Sequence, residues 1–356
     1  MQFYKPELGE PFVEKIFDLS KVDWRNGMIV RSTNWLGDAV MTVPAVYKLS
    51  QLLPEGKKMM VLTKKALSSL WKAYDFVDEV IEMEDKRITP EAAKRMAELN
   101  PGVAVVLPNS FGSAKDLFGK GIPVRIGRKG RGRGLLLTHK LPGWYREPGK
   151  DTHHQLREYL QLAKACGSSE WNADCPPADP GVSDDRLNEL GFDLSKKWLV
   201  LAPGAKFGPA KQWPVEYHRE IAQWWTKEHG RVAVMGAPDE QETCSAVAEG
   251  IEGAVSFAGK TSVSELMAIL GKAAASVVND SGAMHLAAAM GGCGVAVFGS
   301  TEEIATGPVG GRWYILNDRL DCAPCLQRTC EVAGRDYDCL KGITPERVKK
   351  CLEDLI

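Results

Sequence analysis

The chain has almost no excess of charge of either sign and no long apolar run. Lys and Arg total 45 against 46 for Asp and Glu, so the formal net charge of the 356 residues is −1. A near-neutral chain has no overall attraction to nucleic acid, and an anionic partner would need a local basic patch. No stretch approaches the ~18 apolar residues of a membrane span, and the N-terminal segment 1–17 lacks the apolar core of a signal peptide. We therefore expect a cytoplasmic protein that meets a membrane only at its surface.

Several common motifs are also missing. Nine cysteines in a chain of this length are too few for a disulfide scaffold. Neither the dinucleotide fingerprint G-x-G-x-x-G nor a Walker sequence is present, which argues against an NAD enzyme or a P-loop nucleotidase. The only Asp-x-Asp triplet, at 336–338, lies far along the sequence from the loops that are candidates for binding a nucleotide.

What is present is an alternation of short apolar runs with longer helical patterns. Such runs indicate parallel strands buried on both faces. They occur in two series, at 27–32, 58–62, 77–81 and 103–107, and again at 198–202, 231–235, 276–278 and 295–298. The Pro-, Gly- and Asp-rich stretch 167–181 separates the two series and is typical of a linker. We therefore predict two doubly wound α/β domains, 1–175 and 176–356, that face each other across a cleft with ligands at the carboxyl ends of the strands.

Four polar loops follow predicted strands. The first ends in Asp38 at a helix start, where a carboxylate is either an N-cap or a general base. The second, 203–214, combines glycines with Lys206 and Lys211 ahead of a helix, a pattern typical of an anion site. The third contains acids at 239–242 that either accept hydrogen bonds from a ribose or complement a helix dipole. The fourth carries Asp280 and His285; an isolated histidine there is more often packed or capping, but four such loops together favour a nucleotide or sugar-phosphate site.

Three of these segments together resemble one enzyme family. They are Asn34-Trp-Leu-Gly-Asp38, the segment 203–214, and Asn279-Asp-Ser-Gly-Ala-Met-His285. In this order they resemble the ADP-heptose:lipopolysaccharide heptosyltransferases, glycosyltransferase family nine, with the closest likeness to the heptosyltransferase II group. The resemblance implies a GT-B fold with an N-terminal acceptor domain and a C-terminal nucleotide-sugar domain. It also implies an inverting transfer of heptose from ADP-L-glycero-D-manno-heptose to the inner core of lipopolysaccharide, with no metal or other cofactor required for catalysis.

The resemblance also assigns roles to residues. Asp38 would deprotonate the acceptor hydroxyl, and Lys211 would neutralise the departing diphosphate. Glycosyl transfer requires at least these two functions, because negative charge develops on the leaving group. The remaining donor-binding residues that it implies are Gly204, Ala205, Lys206, Glu240, Lys260, Thr261, Asp280, Ser281, Gly282 and His285.

A basic segment stands out in the otherwise neutral chain. Residues 125–133 contain five positive charges, at Arg125, Arg128, Lys129, Arg131 and Arg133. A solvated loop is one interpretation; RNA binding is disfavoured because no aromatic residue is interleaved to stack on bases. We expect a mobile loop that binds the acceptor, a lipid A-Kdo-heptose at the inner leaflet of the inner membrane.

The C-terminal region carries a cysteine array. Cys322, Cys325, Cys330 and Cys339 follow the pattern C-x2-C-x4-C-x8-C. Four thiols with a leading C-x-P-C resemble a structural zinc knuckle, although the spacing departs from the usual paired C-x2-C arrangement; reduced thiols or a disulfide are the alternatives.

Other functions compete with this interpretation. A family relative with another donor or acceptor would share the same motifs, since few residues fix sugar identity. A nucleotide-sugar epimerase also uses two Rossmann-like domains, and a binding protein would lack the pair Asp38 and Lys211. We expect the protein to act as a monomer.

Overall fold

The structure, a computed structural model, describes residues 2–12, 16–143 and 152–356. Met1 and residues 13–15 lie outside the described residues, as do residues 144–151. The first two of these belong to the segment 1–17, which lacks the apolar core of a signal peptide. Within the described ranges the chain forms two separate parallel sheets of six strands each. None of the described helices is both long and apolar enough to cross a membrane.

The chain divides into two units. The N-terminal unit comprises Leu8–Glu147 and Gln155–Pro176, and the C-terminal unit comprises the rest. The main division thus falls at 176/177, beside the predicted boundary of 175/176. The described residues 2–7 and 152–154 differ from the prediction, because they belong to the C-terminal unit. Tyr4 donates its backbone N–H to Trp313 O at 2.8 Å, and a ring nitrogen of His154 lies 2.9 Å from Gly307 O.

The N-terminal unit alternates strands and helices. Thr89 caps one of these helices by accepting a hydrogen bond from Ala92 N, with Pro90 in the first turn and Asn100 ending it in the left-handed conformation. The elements are β1 Gly27–Arg31, α1 Leu36–Ser50, β2 Lys58–Lys64, α2 Ser68–Lys72, β3 Glu79–Met83, α3 Pro90–Leu99, β4 Val103–Val106, α4 Phe111–Leu117, β5 Val124–Arg128, β6 His139–Leu141 and α5 Leu156–Cys166.

The C-terminal unit repeats this alternation. Its elements are α6 Asp184–Glu189, β7 Trp198–Ala202, α7 Val215–Glu228, β8 Arg231–Val234, α8 Gln241–Ala248, β9 Ala254–Ser256, α9 Val263–Lys272, β10 Ala275–Asn279, α10 Gly282–Ala289, β11 Cys293–Val297, α11 Glu303–Thr306, β12 Arg312–Leu316, α12 Asp338–Lys341 and α13 Pro345–Glu353. Strands β1, β4, β7 and β10 are buried along their whole length, as expected for strands covered by helices on both faces.

Both sheets have the same strand order. The first runs β3-β2-β1-β4-β5-β6, and the second runs β12-β11-β10-β7-β8-β9, which is the same order read from the other edge. In each sheet the order reverses between the first and fourth strands, β1 and β4 or β7 and β10. Open α/β sheets bind ligands beyond the carboxyl ends of the strands at this switch point. Ligand-binding residues are therefore expected in the loops at these two switch points.

The predicted strands are present, with four additions. Strands β5, β6, β9 and β12 were not predicted from the sequence. Strand β5 lies within the predicted basic loop, and its residues Val124 and Ile126 are buried while Arg125 is half-exposed. The expectation of a mobile loop over 125–133 is therefore wrong for its first four residues, because they pair with β4 and, in part, with β6.

Candidate active-site residues

Asp38 lies at the switch point of the first sheet. It occupies the first turn of α1, the helix that comes after β1 and a short loop, and its side chain is half-buried. The N-cap of this helix is Trp35, so Asp38 is not the capping residue that the sequence left open. Its charge acts on Tyr159, whose phenol pKa is raised well above its usual value by burial and, second, by the carboxylate of Asp38. The half-buried Asp38 carboxylate thus lies near enough to Tyr159 for its charge to act on the phenol.

A buried arginine fixes the loop that leads to Asp38. Arg31, at the end of β1, is only 2% exposed. Its guanidinium donates to Asp116 Oδ2 at 2.8 Å, to Asn34 Oδ1 at 3.0 Å and to the carbonyl of Ser32. The pKa of Asp116 is raised above its usual value, because the effect of burial exceeds the opposing effect of Arg31. Sequence analysis did not assign Arg31 a role, because its partner lies 85 positions away.

The phosphate-loop candidate, residues 203–214, is anchored by an asparagine at the switch point of the second sheet. Asn279, at the end of β10, is fully buried. Its side-chain amide donates to Pro203 O at 2.7 Å and accepts from Trp213 N at 3.1 Å. Trp213 in turn donates its indole N–H to Ile343 O at 2.7 Å. One amide therefore holds both ends of the loop, and Lys211 projects from a fixed backbone.

Lys211 pairs with Asp280 across that switch point. The ammonium and carboxylate groups form an ion pair in which 14% and 5% of the two side chains are exposed. Asp280 also accepts hydrogen bonds from Thr301 Oγ1 at 2.7 Å and from Thr306 Oγ1 at 3.4 Å. Lysine and aspartate come from different loops, yet the fold brings the two predicted residues together. The threonines were not predicted, since nothing in their local sequence marks them.

His285 adjoins this pair in the first turns of α10. The side chain is buried, and this burial lowers the pKa of the imidazole to about 4; the charge of Asp280 opposes the shift and that of Lys211 adds to it. The imidazole is therefore neutral near pH 7 and brings no positive charge to the site. Its Nδ1 has no hydrogen-bond partner in the described part of the chain. Gly282 begins the same helix, with Ser281 as its N-cap.

Glu240 packs against the start of the phosphate loop. Its carboxylate accepts a hydrogen bond from Ala237 N at 2.8 Å. A Cβ at Gly204 would lie 2.1 Å from Glu240 Oε1, so a larger residue there would displace the Glu240 carboxylate from this position. Ala205, the next residue of the loop, is buried. The loops after β7 and β8 thus meet at Gly204 and Glu240, two of the predicted donor-binding residues.

Three other predicted donor residues lie nearer the surface. Lys206 is mostly exposed and pairs with Asp239, which raises the pKa of the lysine. Lys260 is exposed and donates to Ser256 O at 2.8 Å, in the loop after β9. Thr261 is half-buried in that same loop. Lys206 lies in the loop after β7, and Lys260 and Thr261 lie in the loop after β9, the edge strand of this sheet.

The basic segment is divided between structural and exposed cations. Arg128 and Arg133 are buried and donate to Glu158 O at 2.8 Å and to Asn109 Oδ1 at 2.7 Å. Arg125 donates to Leu136 O at 2.8 Å. The structure therefore gives these three arginines local partners that hold the chain in place. Lys129 and Arg131 are the exposed members of the set.

The four C-terminal cysteines lie close enough for their charges to interact. Burial and the charges of the other three thiols raise the pKa of Cys339 to about 11. The described residues contain no group of three or more His, Cys, Asp or Glu that could hold a metal ion, and all four cysteines are free thiols. Cys322 Sγ instead accepts a hydrogen bond from Arg335 at 3.3 Å. Bound zinc stays a prediction.

Comparison with known proteins identifies the family. The sequence profile of glycosyltransferase family 9 (heptosyltransferase) matches residues 92–334. The chain belongs to this family. It is 27% identical over 349 residues to lipopolysaccharide heptosyltransferase 2 of Escherichia coli, covering 92% of this chain and 98% of that protein. It is 31% identical over 270 residues to lipooligosaccharide heptosyltransferase 2 of Haemophilus influenzae, covering 71% and 76% of the two chains.

A solved structure confirms the fold of this glycosyltransferase. The structure of E. coli ADP-heptose lipopolysaccharide heptosyltransferase II superimposes with a TM-score of 0.76 at 25% identity, covering 92% of this chain and 98% of that one. The predicted α/β architecture of the GT-B type, with two doubly wound sheets, is therefore confirmed. The transferase carries a carboxylate at the switch point of one sheet and a lysine at that of the other, which suits proton abstraction and charge neutralisation.

Proposed function

We propose that the transferase moves a heptosyl group from ADP-L-glycero-D-manno-heptose to the inner core of lipopolysaccharide, with inversion at the anomeric carbon. The observation that carries this proposal is the buried pair of Lys211 and Asp280 at the carboxyl edge of the second sheet. It supplies a fixed cation where the switch point of an open sheet binds its ligand. The choice of acceptor is supported by relatives named lipopolysaccharide or lipooligosaccharide heptosyltransferase 2, and the choice of donor by the similar structure of an ADP-heptose heptosyltransferase II.

In this mechanism the acceptor is activated by Asp38. The carboxylate takes the proton of an acceptor hydroxyl, and the oxygen attacks the anomeric carbon from the face opposite to the diphosphate. A new carbon–oxygen bond forms as the bond to the diphosphate breaks, and ADP leaves with the electron pair. A single displacement of this kind inverts the anomeric configuration.

The C-terminal unit stabilises the leaving group. Negative charge grows on the diphosphate as the bond breaks, and preorganised cations and N–H groups stabilise that charge most where water is excluded. Lys211 supplies the cation, and the backbone of residues 204–208 supplies N–H donors. Glu240 binds the ribose, Lys260 and Thr261 lie beside the adenine, and Asp280, Ser281 and Gly282 contact the sugar and diphosphate. These groups are sufficient without a catalytic metal.

The acceptor is a lipid A-Kdo-heptose at the inner leaflet of the inner membrane. It carries carboxylates and phosphates, and the exposed Lys129 and Arg131 are suited to bind them. We propose that the transferase acts in the cytoplasm as a monomer, peripheral to that membrane and without a nucleic-acid partner. Arg125, Arg128 and Arg133 contribute by holding the segment in shape.

Calorimetric titration with ADP, UDP and GDP, without added metal, tests the donor assignment. Selective binding of ADP is the expected result, because the proposed adenine contacts, Lys260 and Thr261, belong to the same unit as the proposed diphosphate site. A preference for UDP would contradict the proposed donor and would favour a different nucleotide-sugar enzyme.

A further inference from the structure

The cysteine-rich segment reaches the candidate diphosphate site through its main chain. Ala210, in the phosphate loop, donates its N–H to Arg328 O at 3.0 Å. Leu326 donates its N–H to Ser300 O at 2.8 Å, and Ser300 donates to Ala210 O at 3.3 Å. Residues 326–328 are thereby attached to the loops after β7 and β11, both at the carboxyl edge of the second sheet.

A glycine permits this close contact. Gly208 has a φ of +142°, and a Cβ there would lie 2.7 Å from Arg328 O. Any larger residue would push the cysteine-rich segment away from the loop. Arg328 therefore has a fixed backbone position two residues before Cys330 and three after Cys325, although its own side chain is exposed.

The Arg328 side chain shares an aromatic ring with Lys211. Its guanidinium carbon lies 5.3 Å from the centre of the Phe207 ring, and Lys211 Nζ lies 4.9 Å from the same centre. Cations near an aromatic face are attracted by its quadrupole. Phe207 thus holds two positive groups beside one loop.

The two cations differ in how their charge is balanced. Lys211 has the carboxylate of Asp280 as its partner. Arg328 makes no ion pair with any carboxylate among residues 2–12, 16–143 and 152–356. Two like charges held near each other with a single counter-ion leave a local excess of positive charge, which an anion would neutralise. A guanidinium fork is also the side chain best matched to a phosphate group.

We infer that Arg328 is a second cationic ligand for the diphosphate of the donor, acting beside Lys211. This inference rests on the proposed function, in which a nucleoside diphosphate leaves from this loop. It assigns the cysteine-rich segment a direct part in the donor site, since that segment supplies the residue and fixes its position.

Binding measurements on four proteins test the inference: wild type, Arg328→Gln, Arg328→Lys and Arg312→Gln. Arg312 is the matched control, because its guanidinium also lies over a phenyl ring, that of Phe3 at 5.9 Å, but at the amino end of β12. Each protein is titrated with ADP, inorganic pyrophosphate and adenosine, and its thermal midpoint is recorded.

We expect Arg328→Gln to weaken ADP and pyrophosphate binding about 10-fold, which corresponds to ~1.4 kcal/mol, and to leave adenosine binding and the thermal midpoint unchanged. Arg328→Lys should recover most of the loss, and Arg312→Gln should bind all three ligands like the wild type. Unchanged pyrophosphate binding in Arg328→Gln, or an equal loss of adenosine binding, would overturn the inference. If the wild type prefers UDP to ADP, the proposed donor fails, and the pyrophosphate comparison still decides the role of Arg328.

Discussion

The Lys211 ammonium and the Asp280 carboxylate form a buried ion pair that joins the loops after β7 and β10. Thr301 and Thr306 donate hydrogen bonds to the same carboxylate and fix its orientation. Removing one member of a buried pair leaves the other charge uncompensated, which is more costly than loss of a surface pair. The pair therefore both organises the site and holds the lysine ready for a diphosphate.

Replacement of Lys211 by Met should lower kcat/KM for the donor about 100-fold, because the charge that stabilises the leaving group is lost. Lys272→Met is the matched control. Lys272 ends α9 at the amino edge of the second sheet, is half-exposed and pairs with Asp184 at 3.1 Å on the surface. We expect that variant to stay within about 3-fold of the wild type, as is usual for surface ion pairs. Equal losses in the two variants, measured by steady-state kinetics, would remove Lys211 from its assigned role.

Replacement of Asp38 by Asn should abolish transfer and leave the Kd for ADP unchanged, because the amide cannot accept the acceptor proton. A carboxylate in the first helical turn also interacts with the helix dipole. Glu91→Gln controls for that effect, since Glu91 occupies the first turn of α3 and is exposed. The control should retain full activity. Transfer by Asp38→Asn at the wild-type rate would show that another group is the base.

Replacement of Thr301 by Val should lower kcat about 10-fold through misorientation of Asp280, a loss of one hydrogen bond to a charged group. Thr301→Ser keeps the hydroxyl and should restore activity, whereas a purely structural role of the methyl group would not allow that rescue. The comparison is made on kcat and on KM for the donor. A serine variant as impaired as the valine variant would contradict a positioning role.

Two buried histidines should make the protein less stable in mild acid. Burial lowers the pKa of His218 to about 3, and the pKa of His285 lies at about 4. The unfolded chain binds protons near pH 6.5, so the folded state is favoured above that pH and loses stability as the pH falls toward 4. The slope approaches ~1.4 kcal/mol per pH unit for each histidine.

Urea denaturation at several pH values measures this slope, and His218→Phe tests its origin. The phenyl ring can keep the edge contact that His218 makes with the Trp213 ring, at 4.9 Å between centroids. This variant should show a shallower loss of stability below pH 6.5. An identical pH profile in the variant would mean that His218 already titrates normally in the folded protein.

Transfer activity should persist in excess EDTA, because the leaving group is neutralised by Lys211 and by backbone N–H groups. Metal analysis of the purified protein tests the predicted zinc at Cys322, Cys325, Cys330 and Cys339 in parallel. Activity that is lost in EDTA and restored by Mg²⁺ or Mn²⁺, with the fold intact, would contradict metal-independent catalysis.

The sequence predicts best the strands that are buried on both faces. Strands β1, β4, β7 and β10 appear in the sequence as short, mostly apolar runs, because helices cover them on both sides. Strand β5 was missed because Arg125 and Arg128 interrupt its apolar pattern, and Arg128 buries its charge by donating to a backbone carbonyl. Strands β6 and β9 are short edge strands of three residues, too brief to give a signal.

Site residues could be predicted from the sequence where they lie in a loop that follows a recognisable strand. Asp38, Lys211, Asp280 and Glu240 all lie between a strand and the next helix, or in the first turn of that helix, so the strand pattern locates them. Arg31 and Thr301 could not be found in this way, because they act through partners 85 and 21 positions away in sequence. Their contacts depend on which strands are neighbours in the sheet, and the pattern of apolar runs does not reveal the strand order.

The most direct test of the account is a transfer assay with ADP-heptose and a purified inner-core acceptor, followed by mass spectrometry. The account predicts that the acceptor gains one heptosyl residue with inverted anomeric configuration, in a reaction that requires Asp38 and Lys211 and needs no added metal. No gain of mass from ADP-heptose, or transfer from a UDP-sugar in its place, would contradict it.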